Sequence, residues 1–173
     1  MIKKLLIALL LLIAGAVVIF FAPAVLRPTL THETRVMINK TTDEVWDKWT
    51  DSKNMGKWIH GFKSIETISG DPMTVGSKYK IVIENEGEVF EATETIKEVV
   101  IGEKFAFELD GDIITDDVVV TLVNKGLTTE LIQSETITAK GFFWKALFYW
   151  MQSSMSEQSQ KNLNNLKKFI EES

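Results

Sequence analysis

The apolar pattern of this chain changes period, and the order of the changes limits the folds open to it. Between residues 63 and 138 the period is two, broken at short turns that carry glycine. From residue 142 to 172 it is that of a helix, with no proline or glycine inside. Tyr79, Ile81 and Ile83 share one face of the run 76–84, and Phe90, Ala92, Glu94 and Ile96 share one face of the run 88–100. Phe105, Phe107 and Leu109 do the same in 104–109. Runs at 63–69, 113–123 and 127–138 complete the set, and the turns include Asn85-Glu86-Gly87 and Asn124-Lys125-Gly126. Short alternating runs joined this way predict an antiparallel meander followed by one long helix, an α+β arrangement.

Ahead of the meander, residues 29–38 read as a first strand, with Val36 and Ile38 on one side. Thr41-Thr42-Asp43-Glu44 fits a capping box, in which the threonine side chain and the glutamate three positions on satisfy each other's backbone N–H groups. The helix that follows carries Val45, Trp46 and Trp49 at helical spacing, and a second short helix runs from about residue 51 through Met55 to Trp58. Core packing is the first reading of such an aromatic stripe.

Residues 5–22 contain no charge. A bilayer core needs about 20 apolar residues of helix, so this segment is long enough to span. Lys3, Lys4 and the start amine precede it and Arg27 follows, which places the N-terminus in the cytoplasm and the rest on the extracytoplasmic side. The rival is a cleaved signal peptide, with Ala22-Pro23-Ala24 as the small-residue site; the apolar run is long for one, and its proline is unfavourable. The chain therefore divides into an anchor and short linker, 1–28, and a domain, 29–173.

None of the 24 acidic residues lies in the first 27 positions, whereas three of the 19 basic ones do. The domain thus carries 16 basic against 24 acidic residues, a balance that repels nucleic-acid phosphates. With no cysteine, disulfides, thiolate metal sites and thiol nucleophiles are excluded. No HExxH spacing and no glycine-rich phosphate loop appears, so neither a metal nor a cofactor is expected.

Placed on a wheel, the long helix shows one apolar stripe of Trp144, Phe148, Met151, Met155, Leu166, Phe169 and Ile170. Its first half carries a second strip, Phe143, Leu147 and Trp150, which needs another partner: a ligand cavity, the membrane surface or a protein.

Three segments carry a family resemblance. They are Ile38-Asn39-Lys40-Thr41-Thr42-Asp43-Glu44-Val45-Trp46-Asp47, Asn54-Met55-Gly56-Lys57-Trp58-Ile59-His60-Gly61-Phe62 and Val75-Gly76-Ser77-Lys78-Tyr79. With the terminal helix, the chain from Thr31 on resembles the START-like superfamily known as SRPBCC, most closely its polyketide cyclase/dehydrase and lipid-transport branch. The resemblance implies a helix-grip fold, in which a curved antiparallel sheet of about seven strands wraps the long helix and leaves a cavity between them. Relatives hold sterols, phospholipids, polyketides, quinones or plant hormones there, and others help a chaperone or neutralise a partner protein. The superfamily has no single catalytic motif to carry over.

The expected activity is membrane-tethered binding of an apolar or lipid-like molecule, in a pocket lined by Trp46, Trp58, Phe90, Glu94, Phe107, Phe143, Leu147 and Trp150. One alternative is a cyclase- or dehydratase-type enzyme using a pocket carboxylate. Glu94 is the first candidate, in register with Phe90, Ala92 and Ile96; desolvation there would raise its pKa. Glu135, in register with Leu131 and Ile137, Asp117, in register with Val119, and His60 are weaker candidates. A bulge would turn any of these carboxylates to water. The other alternative is a protein-docking module using the Phe143, Leu147 and Trp150 strip.

Overall fold

The structure, a computed structural model, describes residues 2–27, 29–85 and 87–173. Pro28 of the expected linker and Glu86 of the expected 85–87 turn lie outside the described residues. Helix α1 (Ile2–Leu26) is long and apolar enough to cross a membrane, a property it shares with signal sequences. It runs through Pro23, which has no N–H to offer the carbonyl one turn earlier.

Strand β1 (Thr29–Ile38) leads to α2 (Thr42–Thr50). The capping box at the start of α2 is formed: Thr41 N–H donates to Glu44 Oε2 at 3.0 Å, and Glu44 N–H donates to Thr41 Oγ1 at 3.5 Å. A 3-10 turn (Ser52–Asn54) and α3 (Met55–Trp58) follow. The meander is β2 (Phe62–Ser69), β3 (Lys78–Asn85), β4 (Glu88–Val100), β5 (Lys104–Gly111), β6 (Ile114–Asn124) and β7 (Thr129–Ala139). Helix α4 (Phe142–Glu171) completes the domain. At Gly61 (φ 74°), before β2, an added Cβ would sit 2.3 Å from the Glu84 carbonyl oxygen, so only glycine fits there.

All seven strands form one antiparallel sheet in the order β1-β7-β6-β5-β4-β3-β2, with α4 packed against β1 and β7. This is the helix-grip fold. Two apolar clusters hold it together. The larger joins Ile38, Val45, Trp46, Trp49, Phe105 and Leu131 to Leu163, Leu166 and Ile170 of α4. The smaller joins Leu30, Ile137 and Ala139 to Phe148 near the start of α4.

Leu163 and Ala146 are buried and Met151 is exposed, so the buried stripe of α4 differs from the wheel there. Between its two apolar ends α4 reads Ser156-Glu157-Gln158-Ser159-Gln160-Lys161-Asn162. The helix bridges the sheet over this stretch with no large apolar side chain to fill the space beneath it.

Candidate functional site

That space is a cavity of about 370 Å³ between the sheet, α2, α3 and the middle of α4. Most of its wall is apolar or aromatic, including Trp49, Trp58, Tyr79, Ile81, Ile96, Phe107 and Val118. Three carboxyls, Glu94, Asp116 and Glu135, also line it, with Gln133, Ser159 and Asn162.

Strand pairing places the carboxyls. Glu94 on β4 and Asp116 on β6 are each paired at Cα with Leu109 of β5. Directly paired residues of an antiparallel sheet share a face, so both side chains point inward. In β4 the register slips between Ile96 and Glu98, beyond Glu94, and leaves Glu94 on the cavity side. Burial alone acts on this carboxyl and pushes it up to about 7.

Glu135 on β7 is paired with Val118 of β6 on one side and with His32 of β1 on the other. Its Oε2 lies 3.2 Å from His32 Nε2, its Oε1 accepts from Gln133 Nε2 at 2.6 Å, and His32 Nε2 lies 3.4 Å from Ser159 Oγ. The hydrogen bond to Glu135 raises the His32 pKa, against the effect of burial. Burial pushes Glu135 up, but the hydrogen bonds of His32, Ser159 and Gln133 and the imidazolium charge outweigh it and hold the group below its ordinary value. Asp116 is pushed up to about 7, first by burial and then by the charge of Glu135. The pair therefore divides its roles, Glu135 ionised opposite His32 and Asp116 tending to keep its proton. Asp116 Oδ1 and Trp58 Nε1 are buried without hydrogen-bond partners among the described residues.

The expected lining residues separate into two groups. Trp58, Glu94 and Phe107 line the cavity, with Glu135. Trp46 lies in the core, its ring 6.0 Å from that of Trp49, and Trp49 lines the cavity in its place. Phe90 lies over Gly111, where an added Cβ would approach its ring to 2.9 Å. His60 is exposed, with its backbone N–H bonded to Asn162 Oδ1. The face expected for Asp117 is corrected: Asp117 is exposed, and Asp116 faces inward with Val118 and Val120.

Phe143, Leu147 and Trp150 do not line the cavity. Phe143 and Trp150 meet α1 instead. The Phe20 and Phe143 rings are 6.3 Å apart, Phe21 stacks on Phe142 at 5.1 Å, and Trp150 Nε1 donates to the Phe20 carbonyl at 3.2 Å. Arg27 lies over the Tyr149 ring, 5.6 Å from its centroid.

The profile described as Activator of Hsp90 ATPase homolog 1-like protein matches residues 39–171. The chain belongs to that family. Its fold and its family match place it in the SRPBCC superfamily. No curated protein matches the sequence. Among solved structures, a conserved protein from Geobacillus kaustophilus is similar with a TM-score of 0.69 at 19% identity, over 82% of this chain and 95% of the other. The Zhui aromatase/cyclase from Streptomyces sp. R1128 is similar with a TM-score of 0.67 at 12% identity, over 83% of this chain and 94% of the other. Ara h 8.0201 is similar with a TM-score of 0.66 at 14% identity, over 82% of this chain and 97% of the other. At these identities the likeness is one of fold.

Proposed function

We propose that this protein binds an apolar small molecule in the cavity under α4 while residues 1–28 anchor the domain 29–173 to a membrane. The observation that carries the reading is the cavity itself. Its volume of about 370 Å³ falls in the range of small-molecule sites, and its wall is largely apolar with a few converging polar groups. Transfer of the ligand from water contributes roughly 25 cal/mol per Å² of apolar surface buried, against the cost of association.

The anchor reading is supported by α1, which is long and apolar enough to span. Lys3 and Lys4 precede its apolar run and Arg27 follows, which favours the domain on the extracytoplasmic side. Contact between α1 and the start of α4 keeps the domain near the headgroups, where Trp150 and Tyr149 suit the interface. A ligand then passes between bilayer and cavity over a short path.

The test is solvent extraction and native mass spectrometry of the full chain in nanodiscs. A reproducible apolar molecule bound in stoichiometric amount is expected. A chain that stays empty after incubation with membrane lipid extract overturns the reading.

One observation favours a second reading. Glu94 is a buried carboxyl poised near neutrality in the cavity, the condition of a general acid or base. On an identified substrate, Glu94→Gln would abolish turnover and keep binding; unchanged turnover removes the role.

A further inference from the structure

The polar inventory of the cavity is one-sided. Three carboxyls line it, Glu94, Asp116 and Glu135, and no lysine or arginine among the described residues does. Glu135 has a cationic partner in His32. Glu94 has no charged neighbour acting on it, and Asp116, although it interacts with Glu135 and His32, leaves its Oδ1 without a hydrogen-bond partner among the described residues while the residue is only 7% exposed. Ionising such buried carboxyls is costly, and a ligand that brings a positive charge beside them offsets that cost on binding.

The rest of the wall suits the same ligand. Trp49, Trp58, Tyr79, Phe105 and Phe107 contribute aromatic surface, and ring faces attract cations. An anionic head would meet the ionised Glu135 and oppose ionisation of Glu94 and Asp116, in a medium that screens poorly. The Trp58 indole N–H is also unpartnered, but a single neutral donor does not make an anion site among three carboxyls.

We propose that the ligand of this cavity is a lipophilic amine, whose apolar body fills the aromatic chamber and whose ammonium group pairs with the Glu94–Asp116 row. The proposal rests on the binding reading above and narrows it.

The experiment compares decylamine, decanol and decanoate, ten-carbon molecules that differ chiefly in their head groups. Each is titrated into the full chain in phosphatidylcholine nanodiscs by calorimetry, corrected for partition into empty nanodiscs. Decylamine is expected to bind about tenfold or more tighter than decanol, the low end of the coupling between close charge pairs, and decanoate weakest. In E94Q/D116N the amine preference is lost while decanol still binds, which shows that the cavity is intact. If that variant does not fold, E94Q alone carries the comparison and should reduce the preference. Binding of decanol or decanoate as tight as that of decylamine overturns the amine assignment and leaves the cavity reading standing. So does an amine preference that survives the substitutions. Failure of all three to bind overturns both.

Discussion

Glu94 and Asp116 occupy one transverse row of the sheet, separated by Leu109 on the strand between them. Two strand spacings, about 10 Å, separate their backbones, so each carboxyl is desolvated largely by the cavity wall rather than by the other. They differ in their surroundings: Glu94 stands alone, whereas Asp116 shares the Glu135 and His32 charges.

Glu94 makes stability depend on pH in a stated direction. Its folded value of about 7 lies above the ordinary 4.5, so the folded chain keeps a proton that the unfolded chain releases. Stability from this group is greatest below pH 4.5 and falls as pH rises toward 7, by on the order of 3 kcal/mol in total. Glu94→Gln has no such loss. Urea unfolding across this window should show wild type weakening relative to E94Q; parallel profiles would contradict the burial of an ionisable Glu94.

The His32 and Glu135 pair gives the opposite dependence on its acid side. His32 is raised, so its contribution is full below 6.5 and is lost as pH rises through its folded value. Glu135 is lowered, so its contribution is present above 4.5 and is lost as pH falls through its folded value. Both partners are ionised between these limits. Their side chains are 7% and 8% exposed, and breaking a buried pair costs about 3–5 kcal/mol. His32→Gln should therefore destabilise by about 3 kcal/mol near pH 6, less at higher pH. A penalty that does not change with pH would mean that the imidazole is neutral throughout.

The strand faces were legible where alternation is clean. Glu94 counts inward from Ala92 and Ile96, and Glu135 from Leu131 and Ile137. The β6 strand was ambiguous because Val118, Val119 and Val120 are all apolar, so either face reads as core; pairing of Val118 with Glu135 decides it, and with it Asp116 over Asp117. Trp46 and Trp49 lie within one turn of α2, and sequence does not give the rotation of a short helix that is apolar at both positions. His32 finds its partner 103 residues away, across a β1–β7 pairing that local pattern does not encode. The polar stretch 156–162 was the available signal for the hollow. Other lining residues, such as Trp49, Gln133 and Ser159, follow from strand order and helix rotation.

The α1 and α4 contact has its own test, since the chain has no cysteine to interfere. Phe21 and Phe142 stack with ring centroids 5.1 Å apart. Cysteines at these two positions should be joined by a short bis-maleimide in nearly every molecule reconstituted in a bilayer. A pair at Leu9 and Phe142, more than three helical turns further along α1, should not react. Equal yields for both pairs would mean that α1 moves independently of the domain.

Val118 offers a way to separate the cavity from the fold. It is buried, it lines the cavity, and it is paired with Phe107 and Glu135, so a larger side chain there projects into the hollow. Added volume in a packed core costs about 1–3 kcal/mol because neighbours are forced off their rotamers. A ring that enters empty space avoids that strain and gains apolar contact, so Val118→Phe should change stability by less than about 1 kcal/mol. Ligand should be lost at the same time, because the ring takes the ligand's place. A large loss of stability with ligand retained would instead mean that the side chain is already enclosed and that the ligand sits elsewhere.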